Sequence, residues 1–320
     1  MGSSHILWTA ISPILQRIMK KIVIAGGTGF LGQLLSKNFL KQDFEVVVLT
    51  RKHVEDQHGI RYVKWDGRLF GSWTRELEGA DVLINLNGKS VDCRYTEANK
   101  QAIYDTRIQA TYILGEAVKK CQHPPKLWIN ASSATIYRHS EDQEMDEHDG
   151  QIGEGFSVDV CKKWERTFFD FEMPNVRQVA LRISIVLGAS GGALISLKRL
   201  TQFGLGGRQG NGKQYFSWVH EQDFVEVVNW VIHNERATGI YNVASPDPVP
   251  NADFMKQLRK ALKVPFGLPS PKWLLSIGAW LIGTETELIL KSRRVVPTRL
   301  REEGFSFQYQ YISDAFKSLL

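Results

Sequence analysis

The most restrictive feature of this sequence is the turn Gly26-Gly27-Thr28-Gly29-Phe30-Leu31-Gly32, which directly follows the apolar run KIVIA (21–25). Directly after it, Leu31, Leu34, Leu35 and Phe39 recur at helical spacing, and a second apolar run, EVVVL (45–49), comes next. The order strand, glycine turn, helix, strand describes a β-α-β unit. Side chains at Gly26 and Gly29 would keep a pyrophosphate away from backbone N–H groups at the helix N-terminus, and one at Gly32 would hold the helix off the strand. The spacing therefore predicts a dinucleotide seat built from Gly26, Thr28, Gly29, Phe30, Leu31 and Gly32. A purely structural β–α turn is the competing reading.

The same alternation continues through RYVKW (61–65), DVLINL (81–86), KLWINA (126–131) and VALRISIVL (179–187), each rich in β-branched residues as a strand buried on both faces should be. A long helical stretch from about Glu97 to Lys120 joins the fourth and fifth runs. The expected fold is α/β, a Rossmann-type doubly wound parallel sheet with a smaller C-terminal substrate-side lobe. After residue 188 the pattern loosens into GLGGRQGNGK (204–213), a helix from Glu221 to His233 and a short strand IYNVA (240–244). The expected division is 1–18 as an extension or cloning remnant, 19–187 with the return segment 218–245 as the nucleotide-binding domain, and 188–217 with 246–320 as the lobe. The apolar stretch WLLSIGAWLIG (273–283) is too short to span a membrane and reads as a core helix or partner surface.

At the end of the second strand, an acid would accept hydrogen bonds from the ribose hydroxyls of NAD, but the chain has Thr50-Arg51-Lys52. Arg51 stands where a guanidinium can pair with a 2′-phosphate, which favours NADP(H) as cofactor. Asp66, after the third strand, is a candidate for the adenine amino group, with a simple loop acid as the alternative.

The glycine turn, Ser132-Ser133-Ala134-Thr135-Ile136-Tyr137 after the fifth strand, and Ser217-Trp218-Val219-His220 with Asp223 together resemble the extended short-chain dehydrogenase/reductases. Val160-Cys161 with Trp164-Glu165, Gly206-Gly207, Asn242 with Pro246, and the tail motifs Arg294-Val295-x-Pro297 and Gly304-Phe305-x-Phe307-x-Tyr309 are similar to its sugar-nucleotide epimerase-like subfamily. Some members of that subfamily are called cell-division inhibitors, and it carries a C-terminal domain of unknown function. The resemblance implies that Ser133 hydrogen-bonds the reacting oxygen and that Asn87 and Gly88 lie against the cofactor ribose. Asn87 as a turn former is the plainer alternative.

The departures from that family are as informative. Its Tyr-x-x-x-Lys pair, a phenol whose pKa is lowered by a lysine one turn on, falls here at Ser157 and Cys161. Lys162 and Lys163 point about 100° and 200° around the helix from Cys161 and do not replace the lysine. Tyr137 is a substitute acid on this reading, with packing as the commoner role. Arg107 stands where many members have asparagine, and either binds an anion in the pocket or is a salt-bridged surface residue. Phe216 replaces an arginine that grips substrate diphosphates, which speaks against a nucleotide sugar, although Lys213 and Arg208 could restore some charge. His220 and Asp223 read as structural, with Asp223 capping a helix.

The chain's net charge of +6 is dispersed among 40 Lys+Arg and 34 Asp+Glu, so a small-molecule substrate of unknown identity is expected as partner, with neither nucleic acid nor membrane and a homodimer left open. Three scattered cysteines point to a reducing, cytoplasmic location. The eight histidines show no ligand spacing and no metal site is expected. The chain is thus expected to be an NADP(H)-dependent epimerase or oxidoreductase. The alternative is a regulatory or assembly protein that kept the cofactor site after losing its catalytic pair.

Overall fold

The computed structural model describes residues 20–273, 275 and 290–320. Seven strands form one parallel sheet: β1 (Lys21–Ala25), β2 (Glu45–Thr50), β3 (Ile60–Lys64), β4 (Val82–Asn85), β5 (Leu127–Ser133), β6 (Arg177–Ile183) and β10 (Gly239–Val243). Their spatial order is β3-β2-β1-β4-β5-β6-β10. Strand order reverses between β1 and β4, and a ligand is expected in the crevice beyond their carboxyl ends. The register Ala25↔Asn85 brings those ends level.

Alternate residues of each apolar run go to opposite faces. Ile22, Ile24, Val46, Val48 and Ile84 join one core cluster with Leu35 and Phe39 of α1 (Phe30–Leu40) and Phe224 and Val228 of α5 (Glu221–His233). Val23, Val47, Leu49 and Leu83 join the other, with Leu114 and Val118 of α2 (Glu97–Lys119) and Phe168 of α3 (Phe156–Phe169). Burial on both faces explains why these strands read as unbroken hydrophobic runs.

The run 179–187 is not one strand. At Ser184 both the backbone N–H and the hydroxyl donate to the Val243 carbonyl. This ends the ladder, and β7 (Ile185–Leu187) turns away to pair with β9 (Trp218–His220) in a separate two-stranded sheet. The lobe beyond it contains α4 (Ala193–Leu200) and β8 (Tyr215–Phe216), and packs α6 (Asn251–Ala261) against the last helix, Ile312–Leu319, through Phe254, Leu258 and Phe316. Residues 1–18 and most of 273–283 lie outside the described residues.

The C-terminal segment also enters the main core, because Leu300, Phe305 and Phe307 pack in the cluster that covers β1 and β2. Asp223 fastens it. Contrary to expectation, Asp223 does not cap α5. The cap is His220, whose Nδ1 accepts from the Gln222 N–H at 2.9 Å. The buried Asp223 carboxylate instead accepts the N–H groups of Gln308 and Tyr309 at 2.8 and 2.9 Å, and the Tyr309 ring stacks on His220 with centroids 3.7 Å apart. Asp223→Ala removes two charge-assisted bonds and leaves both N–H groups without their acceptor. Chemical denaturation is expected to show a loss of about 3 kcal/mol, with Asp223→Asn intermediate. A loss below about 0.5 kcal/mol, the scale of an ordinary surface change, would contradict this account of the strap.

Candidate functional site

The glycine turn follows β1 at the point where strand order reverses. Gly26 adopts φ +78°, and a Cβ there would stand 2.9 Å from Asn87 Oδ1. A Cβ at Gly32 would fall 2.4 Å from the Gly27 Cα, so α1 sits as close to the turn as backbone permits. Gly29 is the N-cap of α1 and faces open space, with no atom within 4 Å of where its Cβ would be. No side chain caps this helix and its first turn holds no acid. Its leading N–H groups and positive dipole end therefore open onto the cleft, as an anionic pyrophosphate requires.

Two connected hollows meet at this turn. The outer one, about 610 Å³, is lined by Thr28, Arg51, Lys52, Asp66 and Arg68, and the inner one, about 490 Å³, by Phe30, Leu31, Arg107, Ser133, Ser157 and Cys161. Gly26, Gly29, Asn87 and Gly88 line both. Arg51 is exposed at the outer end, and among the described residues neither it nor Lys52 is held in an ion pair. One oxygen of Asp66 accepts the N–H groups of Arg68 and Leu69 at 2.8 and 2.9 Å, which holds the carboxyl below its usual pKa. Asp66 thus closes a turn and lines the cleft at once.

A buried asparagine network fixes the cleft between the hollows. Asn85 donates to Thr111 Oγ1 at 2.9 Å and to Asn130 Oδ1 at 2.7 Å, and its own Oδ1 accepts from Asn87 Nδ2 at 2.8 Å. Trp164 Nε1 donates to the same Thr111 hydroxyl at 2.9 Å, tying α3 to α2. Burying these amides is tolerable because they satisfy one another, and the result aligns the ends of β4 and β5.

At the inner end, Ser133 terminates β5 with its hydroxyl accepting from the Thr135 N–H at 3.2 Å. Arg107 reaches in from α2. Its Nη1 donates to the carbonyls of Lys89 and Ile103, its guanidinium lies over the Trp164 ring at 5.1 Å, and a Cβ on Gly88 would touch its Cζ at 2.8 Å. Among the described residues no carboxylate pairs with Arg107, so it is not a salt-bridged surface residue. Cys161 lines the same space, but burial pushes its thiol up to about 12, which leaves it protonated and a poor nucleophile. Beside it a hydroxyl pair closes the wall: Tyr95 Oη lies 3.2 Å from Ser157 Oγ.

Two expected residues lie elsewhere. Tyr137 is fully buried and does not line the cleft; its hydroxyl accepts from Arg182 Nη1 at 2.8 Å and donates to the Asp146 carbonyl at 2.7 Å. Burial outweighs Arg182 and raises its pKa, and the ring packs in a cluster with Ile136, Met145 and Val158, outside the lining of the hollow. Lys213 and Arg208 are exposed and line neither hollow. Phe216 packs on Phe254, with ring centroids 4.3 Å apart. Tyr95, Ser157 as its partner, and the Asn85–Asn130 network escaped the sequence reading. The one available signal was an aromatic residue just ahead of the long helix, in the connection from β4.

Comparison with known proteins agrees with this geometry. Residues 22–244 match the NAD dependent epimerase/dehydratase family, and residues 270–319 match DUF1731, a domain of unknown function. An epimerase family protein of Staphylococcus saprophyticus is 32% identical over 94% of this chain and 100% of its own length. The human epimerase family protein SDR39U1 (isoform 2), solved with NADPH, superposes with a TM-score of 0.84 at 26% identity, covering 93% of this chain and 98% of that one. A nucleoside-diphosphate sugar epimerase from Corynebacterium glutamicum gives 0.75 at 28% identity, covering 94% of this chain and 58% of that one. Among the described residues no helix is long and apolar enough to cross a membrane. With its seven-stranded parallel sheet, its glycine turn at the switch point and a family match spanning most of its length, the chain belongs to the NAD-dependent epimerase/dehydratase family.

Proposed function

We propose that this protein is an NADP(H)-dependent oxidoreductase or epimerase acting on a small carbonyl or hydroxyl compound that carries an anionic group. The observation that supports this most is the pair of adjoining hollows that run from the exposed Arg51, past the open N-terminus of α1, to Ser133 and Arg107. The residues fit the cofactor: Arg51 and Lys52 suit a 2′-phosphate, the Gly29 amides a pyrophosphate, and Asn87 and Gly88 a ribose. The similar human protein was solved with NADPH, which favours the same choice. When bound, the nicotinamide supplies or accepts two electrons and one hydrogen at the substrate carbon. Ser133 donates a hydrogen bond to the reacting oxygen, while Arg107, a fixed charge on the floor of the inner hollow, holds the anionic group. Phe216, packed against Phe254, does not itself carry the charge that a diphosphate grip is expected to supply at that position, and this counts against a nucleotide sugar.

A second reading, a cofactor-binding regulatory protein, draws on Ser157 and Cys161 standing where the phenol and lysine of related enzymes are expected. Turnover separates the two. With carbonyl acids screened for NADPH oxidation, Ser133→Ala should lower kcat by about 100-fold or more while the Kd for NADPH, read by its fluorescence, stays within about twofold. A folded, NADPH-binding wild type that oxidises no NADPH with any compound would favour the regulatory reading.

Cofactor choice has its own test. Arg51→Asp should weaken NADPH at least about tenfold more than NADH, the value of one charge-assisted contact. Equal losses in fluorescence titrations would refute the assignment. Arg107→Leu should raise KM for anionic substrates and leave neutral analogues nearly unchanged; a uniform loss of kcat would point to a structural role instead.

A further inference from the structure

The inner hollow lacks a phenol on α3 but not a phenol. Ser157 is at the start of α3, buried, and its side chain lines the hollow. A serine there is smaller by an aromatic ring than the tyrosine that related enzymes carry at this position. Tyr95 enters beside that serine, from the connection ahead of α2, and its hydroxyl lies 3.2 Å from Ser157 Oγ. The ring is not loosely placed. It packs edge-on against Phe156 with centroids 5.0 Å apart, and the chain beside it is pinned where Asn99 Nδ2 donates to the Arg94 carbonyl at 2.7 Å. The next residue, Thr96, caps α2 by accepting from the Asn99 N–H, so the helix start and the phenol are positioned by one local structure.

We infer that Tyr95 is the proton donor of this site, a phenol delivered from the β4–α2 connection to the place that Ser157 leaves open on α3. The inference rests on the reading of the cleft as a site of carbonyl reduction. Tyr95, Ser133 and Arg107 line the same hollow, so one substrate can meet all three. In the reducing direction the carbonyl carbon receives two electrons and a hydrogen from NADPH, and the π pair of the C=O bond moves onto oxygen. The Tyr95 O–H bond breaks as its proton passes to that oxygen, giving the alcohol and NADP⁺. The resulting phenolate regains a proton from solvent through the Ser157 hydroxyl, so one solvent proton is consumed per turnover. Arg107, on α2, lines the same hollow, so a positive charge stands in the space the phenol faces.

Two measurements on the full-length protein test this. With 3-fluorotyrosine incorporated, the ¹⁹F resonance that Tyr95→Phe removes should shift on Ser157→Ala and again on saturation with NADP⁺. A line unmoved by NADP⁺ overturns the inference, because the phenol would then not face the cofactor. On any carbonyl compound that the wild type reduces, Tyr95→Phe, which loses one oxygen and keeps the ring packing, should lower kcat by about 100-fold or more with the NADPH Kd within about twofold. Retention of more than about a third of kcat overturns Tyr95 as donor and leaves the reduction reading standing. A wild type that binds NADPH and reduces no carbonyl overturns the reduction reading, and the donor role with it.

Discussion

The contact between Gly27 and Gly32 sets the rest of the cleft. With 2.4 Å between the Gly27 Cα and any Cβ on Gly32, even alanine would push the start of α1 away from β1. The cost would not be confined to packing. The uncapped amides of α1 are useful only if they point into the crevice between β1 and β4, and their direction is set by how closely the helix lies on the turn. Gly26, locked in the left-handed region against Asn87, ties the same turn to the end of β4. Backbone proximity, with no side chain in the way, thus converts a helix end into an anion seat.

The inner end is held by a different device. Arg182 on β6 and Glu165 on α3 form a buried pair with contacts of 2.9 and 2.8 Å, and Glu165 also accepts from Ser132 at 2.6 Å. Arg182 continues to Tyr137, which reaches Asn242 Oδ1 at 3.0 Å on β10. Taking two charges out of water is expensive, and a buried pair is seldom a net gain in stability over apolar packing. What this one provides is orientation: it bonds α3, β5, β6 and β10 into one frame beneath Ser133. Tyr137 belongs to that frame, which is why a tyrosine four residues beyond Ser133 does not line the cleft.

Much of the architecture was legible from local pattern. The apolar runs at β1, β2, β4 and β5, the span of α5 from Glu221 to His233, and the glycine turn all follow from periodicity and from what a glycine permits. The break at Ser184 did not, because it depends on a carbonyl of Val243 that sits 59 residues away. The capping of α5 was misassigned for a similar reason. Asp223 has the chemistry of a cap, but the N–H groups of Gln308 and Tyr309 reach it first, and His220 takes over the helix end. Where a polar side chain has two possible partners, one near in sequence and one brought by the fold, sequence reading favours the near one.

The proposed donor, Tyr95, shows the same limit in its sharpest form. A motif such as Tyr-x-x-x-Lys is readable because one helix carries both groups one turn apart, and its loss at Ser157 and Cys161 reads as loss of function. Catalysis needs a phenol and a positive charge at a place, not on a helix. Tyr95 and Ser157 are 62 residues apart, and Arg107 lies on a third element, yet the three share the wall of one hollow. Sequence spacing cannot encode that arrangement, since it is created only when α2 and α3 pack together across Thr111 and Trp164. The absence of a catalytic motif in a chain that keeps the cofactor cleft is therefore evidence about where the groups are attached before it is evidence about whether they exist.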